Sequence, residues 1–149
     1  MSALPAGPVL FDTGIYTRFS RGENYFGLGG DARLFQRTIL TAVVAAEIYA
    51  GTHNLPEKRA LDELCQAHRA LGHFSSPSAT SWKETGILLR RARNVFGQID
   101  FVHHFRDLLI AVETVQLGAT LVTENVGDFG RCKSLFASAR RTLKVFDPS

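Results

Sequence analysis

Residues 118–129 read Gly118-Ala119-Thr120-Leu121-Val122-Thr123-Glu124-Asn125-Val126-Gly127-Asp128-Phe129, and their pattern decides the fold. Residues 119–123 are apolar or β-branched without alternation, which is how a strand covered on both faces reads. Gly118 closes the element before it, and residues 125–129 turn away from the strand's carboxyl end. Immediately upstream, Leu109, Ile110, Val112, Val115 and Leu117 recur at helical spacing, so residues 107–117 form a helix leading into the strand. Asp107 then falls at or beside that helix's N-terminus, where free backbone N–H groups favour a negative charge. Downstream, residues 143–146 make a last short strand.

The same alternation runs back to the start of the chain. Pro8-Val9-Leu10-Phe11 is a buried strand ending at Asp12-Thr13-Gly14, with a helix after the turn. Residues 21–31 carry four glycines and read as a loop. A second strand covers residues 38–44, and residues 45–49 change to helix formers, so Glu47 lies in the first turns of a helix that residues 53–56 break. Residues 57–71 are helical and stop at Gly72. Residues 73–81 form a loop or frayed strand in which Ser78 or Thr80 caps a helix over residues 82–96, with Trp82, Gly86, Leu89, Ala92, Arg93 and Phe96 roughly along one face. Strands alternating with helices, and no linker or repeat, give an α/β class: one three-layer α/β/α domain over residues 1–149 with a mainly parallel sheet.

Composition agrees with a single packed domain. The chain has 149 residues, 45% hydrophobic, with 11 Phe, 3 Tyr and 1 Trp, which excludes a disordered or low-complexity protein. Two cysteines make no disulfide framework and fit a reducing compartment. The apolar stretch 39–50 is broken by Thr41 and Glu47 and is too short to cross a bilayer, and no export leader is visible. A soluble, cytoplasmic protein is expected.

Net charge is +3, yet the acids fall in a pattern. In open parallel sheets ligands bind beyond the carboxyl ends of the strands. Asp12 and Glu47 follow the first and second predicted strands, Asp128 follows the strand ending Leu121-Val122-Thr123, and Asp107 joins them if its helix begins at the same rim. Any one of them reads equally as a turn or cap residue. Glu47 resists that reading, because it sits inside the apolar run Val43-Val44-Ala45-Ala46-Glu47-Ile48-Tyr49-Ala50, where a carboxylate needs a cation or a hydrogen-bond network. Clustered carboxylates raise one another's pKa and suit hard divalent cations, Mg²⁺ or Mn²⁺, with oxygen donors only. Such sites displace at phosphorus, and an acidic pocket within a basic surface suits a phosphodiester.

Asp12-Thr13-Gly14, Ala46-Glu47-Ile48 with Gly51, Asp107-Leu108-Leu109-Ile110-Ala111 and the quoted stretch 118–129 together resemble a PIN domain, specifically the VapC-type toxins of bacterial toxin–antitoxin pairs. The motif LVT-x-N-x-x-DF preceded by D-x-x-IA carries the resemblance, and residues 77–89 resemble the middle helix of one subgroup. The resemblance implies a metal-dependent endoribonuclease that inhibits translation, dimerises, and is neutralised by a cognate antitoxin, in some cases within a larger assembly. It implies that Asp12, Glu47 and Asp107 bind metal with Asp128 as a fourth, more variable acid. Thr13, Thr123 and Asn125 would support them from behind or position water. Two departures stand out: Asn125 occupies a position where many relatives carry an acid, and Arg106 places a charge beside Asp107.

Arg18 and Arg21, close to the Asp12 turn, are the candidate substrate-binding cations. Arg90, Arg91 and Arg93 form either a phosphate-tracking face or a solvated one. His103 and His104 read as surface or dimer-interface residues, Cys65 as core, and Trp82 as a packing anchor. Residues 27–30 lack the lysine and hydroxyl of a phosphate loop, and no serine sits in a nucleophile elbow. The alternative in a different class is a PIN-like module that binds RNA or a protein without cutting.

Overall fold

A computed structural model of the chain describes residues 4–20, 31–97 and 101–149, and of residues 101–103 the backbone alone. The glycine-rich expectation over residues 21–30, including Arg21, lies outside the described residues. Five short strands, β1 (Val9–Phe11), β2 (Thr38–Thr41), β3 (Phe74–Ser75), β4 (Thr120–Val122) and β5 (Lys144–Phe146), form one sheet in the order β3-β2-β1-β4-β5, with every pairing parallel. Each residue of β1, β2 and β4 is buried. Successive side chains of a strand point to opposite faces, so both faces of the central sheet are covered and the domain has three layers.

The helices are α1 (Thr13–Ser20), α2 (Ala32–Gln36), α3 (Ala42–Ala50), α4 (Leu55–Ala70), α5 (Ala79–Phe96), α6 (Phe101–Gln116) and α7 (Val126–Ser138). One group packs α1 on α3 and α3 on α4, while another packs α6 on α5 and α7. The core joins Leu10, Ile15, Leu40, Val44, Ile110, Leu121, Phe129 and Phe136 into a single cluster. Two buried threonines are satisfied by a carbonyl four residues back: Thr38 Oγ1 donates to Leu34 O at 2.7 Å and Thr114 Oγ1 to Ile110 O at 2.8 Å. Among the described residues no helix is long and apolar enough to cross a membrane.

Most of the elements read from sequence are present, and the differences are instructive. The second strand ends at Thr41 rather than at residue 44, because the Thr41 hydroxyl accepts the Val43 N–H at 3.3 Å and caps α3 at once. Ser78, not Thr80, caps α5, accepting the Ser81 N–H at 3.1 Å. The buried face of α5 is Ser81, Thr85, Leu88, Leu89 and Ala92, so Trp82 stands outside it, 48% exposed, with its ring 5.6 Å from that of Phe105.

Two corrections matter for function. Asp107 is not at a helix N-terminus: α6 begins at Phe101 and carries Asp107 in its second turn. Residues 101–106 hold aromatics, a valine and paired histidines of middling helix propensity, and the packing of α6 on α5 extends the helix through them. Residues 125–129 are also more than a turn, for they open α7, whose Phe129, Cys132, Leu135 and Phe136 are buried at helical spacing. Gly127 and Gly130 mask that helix in the sequence.

Candidate functional site

The chain runs β1, β2, β3 outward on one side and returns to β4 on the other, so its direction reverses between β1 and β4. At such a reversal the connections diverge and leave room beyond the strand ends. Asp12 stands there. Its N–H donates to Val122 O at 3.0 Å, making it the last residue tied to β4. The Thr13 N–H donates to Asp12 Oδ1 at 2.8 Å, and Thr123 Oγ1 donates to Asp12 Oδ2 at 2.9 Å. Thr123 Oγ1 in turn accepts the Asn125 N–H at 2.9 Å, which directs its own proton toward Asp12.

Glu47 reaches the same place from α3 and Asp107 from α6, the latter only 1% exposed. Between them lies Arg106: Nη1 donates to Glu47 Oε2 and Nη2 to Asp107 Oδ1 at 2.7 Å. Asp12 and Glu47 both respond to this setting. Burial pushes the Asp12 carboxyl above its usual range and Asp107 adds to this, against the hydrogen bonds from Thr123 and Thr13 and the charge of Arg106. Burial likewise raises Glu47, and the Asp12 charge adds to it, while Arg106 and the neighbouring Thr13 hydroxyl pull the other way. Neither Thr13 Oγ1 nor Glu47 Oε1 makes a hydrogen bond of normal geometry among the described residues, although both are buried. The Arg106 guanidinium is itself held charged: burial opposes this, but Asp107, Glu47 and Asp12 outweigh it.

Asp128 sits in the first turn of α7 and accepts from Asn125 Nδ2 at 3.1 Å. It connects to Asp12 through Asn125 and Thr123, one residue further along the rim. Asp107 and Asp128 both act on Cys132, which burial first and then these charges push up to about 12. That thiol is inert at neutral pH. Arg18 grips Glu124 with both sides of its guanidinium, Nε to Oε1 at 2.7 Å and Nη2 to Oε2 at 3.1 Å. A substrate-binding role for Arg18 therefore involves that ion pair.

The donor set fits a hard divalent cation in its chemistry: carboxylates on Asp12, Glu47 and Asp107, a buried Glu47 oxygen that has only the Thr13 hydroxyl beside it and no hydrogen bond of normal geometry, and no His or Cys among them. Among the described residues, however, no three such side chains stand close enough as they are to chelate an ion. The cation at their centre is Arg106. Sequence reasoning noted Arg106 only as an oddity beside Asp107, and it overlooked Glu113 entirely. Glu113 is 2% exposed, accepting from Thr41 Oγ1 and, at 2.5 Å, from Ser75 Oγ. The signal was available, for Glu113 interrupts the apolar run Ile110-Ala111-Val112 much as Glu47 interrupts its own.

No family model and no curated protein matches this chain. Solved structures do. A chain of FitAcB from Neisseria gonorrhoeae superposes with a TM-score of 0.68 at 22% identity, over 94% of this chain and 97% of that one. A chain of DNA-bound VapBC from Salmonella typhimurium gives 0.68 at 12% identity, over 97% and 100%. A chain of VapBC2 from Rickettsia felis, bound to a DNA fragment from its promoter, gives 0.64 at 19% identity, over 93% and 97%. The agreement spans nearly the whole of each chain, and this protein thus has the α/β/α fold of a chain found in the VapBC and FitAB complexes.

Proposed function

We propose that the protein is the toxin of a toxin–antitoxin pair and acts as a Mg²⁺- or Mn²⁺-dependent endoribonuclease. One observation carries the reading: at the reversal point of a parallel sheet Arg106 joins Glu47 to Asp107, acids 60 residues apart in sequence, with Asp12 on the adjoining strand end. In this reading Asp12, Glu47 and Asp107 hold the metal and Asp128 lies at its edge. When bound, the metal would supply charge that lowers the pKa of an attacking water and steadies the leaving oxygen of the phosphodiester. The chain's own residues prepare the place. Thr123 and the Thr13 N–H fix the Asp12 carboxylate in one orientation, as outer partners of a ligand do. Asn125 does the same for Asp128. The basic balance of the chain favours an RNA strand near the rim, with Arg18 and Arg21 the cations nearest the Asp12 turn in sequence.

The same reading brings a cognate antitoxin as partner, covering this acidic groove, and a homodimer of the toxin. FitAB and VapBC are complexes, some bound to DNA, which favours a paired subunit here as well. The deciding experiment incubates the purified chain with RNA, with Mg²⁺ or Mn²⁺ and with chelator, beside Asp12→Asn. Cleavage that needs metal and falls by about 10²-fold or more in the variant, the scale of losing one charge-stabilising group, is the expected result. RNA bound equally by both proteins and cut by neither would favour the binding module instead.

A further inference from the structure

Arg106 is the feature of this site that a metal-acid reading leaves unused. Its two terminal nitrogens join carboxylates from different helices, Glu47 of α3 and Asp107 of α6. A guanidinium suits this task, since its planar fork presents fixed donors to two acceptors at once. The arrangement is unsaturated: Arg106 Nε is buried and has no partner among the described residues, and Glu47 Oε1 has only the Thr13 hydroxyl beside it and no hydrogen bond of normal geometry. Exposure is uneven as well. The Arg106 side chain is 39% exposed and that of Asp107 is 1% exposed, so the cation has a path to solvent while its acceptor stays in place.

We propose that Arg106 is a built-in counter-ion that occupies Glu47 and Asp107 until a divalent cation displaces it, so that the site takes up metal weakly and only as this guanidinium swings outward. The inference rests on the metal reading above and concerns how that site is regulated. A guanidinium and a divalent cation on the same pair of carboxylates repel each other and compete for their charge, so each weakens the other by an equal factor. Without metal, Arg106 relieves the repulsion between buried acids and lets the fold tolerate them. With metal present, the same side chain must leave. The site is thereby held closed below a threshold of metal concentration. A merely structural tie between α3 and α6 would leave metal affinity untouched.

The test measures Mn²⁺ uptake by the full chain, from the loss of the free-ion electron paramagnetic resonance signal. Wild type, R106Q, R106K and D107N are compared, with circular dichroism as the check on folding. Breaking two charge-assisted hydrogen bonds should tighten Mn²⁺ binding roughly 10- to 100-fold in R106Q. R106K, which keeps the charge but loses the fork, should fall between R106Q and wild type. Should R106Q fail to fold, R106K decides alone. Wild-type affinity in both arginine variants, with D107N weakened, would overturn the inference and leave the metal reading standing. Wild-type affinity in R106K with a tightened R106Q would assign the effect to net charge and overturn the displaced bridge. No Mn²⁺ uptake by any of the four proteins would remove the metal reading and the inference with it.

Discussion

Asp12 accepts two hydrogen bonds, and burial still lifts its carboxyl above the ordinary range. The sign follows. A carboxyl whose folded pKa exceeds its unfolded one stabilises the fold in its protonated form, and that contribution is lost as pH rises through the folded pKa. At neutral pH the charged Asp12 therefore costs stability in the metal-free protein. Asp12→Asn keeps an acceptor for the Thr13 N–H, and the Thr123 hydroxyl can rotate to accept from the new amide. The variant should melt no lower than wild type, and higher by up to a few degrees, in a thermal scan with chelator present. A drop of several degrees would mean that the charged form is stabilised where it stands. Such a gain beside lost activity is what a functional site costs a fold.

At the scale of elements, α6 carries most of what is unusual. It brings Arg106, Asp107 and Glu113 into a helix whose residues 108–112, between them, are all buried and apolar. Its partner α5 begins at a defined point because Ser78 Oγ accepts the Ser81 N–H and lies 3.1 Å from Ser81 Oγ, which itself donates to Gln116 of α6. The cap thus ties the two helices together as well as starting one. Ser78→Ala should lose about 1 kcal/mol in a urea titration, the usual worth of such a cap. Thr80→Ala should lose less, since Thr80 is exposed and follows the cap.

The whole molecule carries a weakness at the side away from the acids. His68 of α4 is fully buried, its ring centroid 4.8 Å from that of Phe35, with His73 close by. Burial first, and the His73 charge second, hold its pKa below the usual histidine value against a backbone bond at Thr38. Above the unfolded pKa of about 6.5 both states are neutral there and stability is flat. Below it the unfolded chain binds a proton that the fold refuses. Stability then falls with acid by at most about 1.4 kcal/mol per pH unit until the folded pKa is passed. Urea titrations at about pH 7.5 and about pH 5.5 should show that loss in wild type and a smaller one in His68→Gln. Equal losses would place the acid sensitivity elsewhere.

Read from its residues alone, this chain already declared its fold class and the strand end at which Asp12 stands. Val9-Leu10-Phe11 and Thr120-Leu121-Val122 are short uniform runs, so their burial, their parallel pairing and the position of Asp12 at a strand end follow from local pattern. Ser78 and Gly72 announced helix ends for equally local reasons. Asp107 was expected at a helix start and lies in the second turn of α6, since the two look alike when the preceding residues are neither strong formers nor breakers. That Arg106 stands between Glu47 and Asp107, and that Glu113 is buried under Thr41 and Ser75, were decided only by tertiary structure. A strand end is a property of neighbours in sequence. The company a helical side chain keeps depends on how its helix is rotated and packed, and that is set by residues tens of positions away.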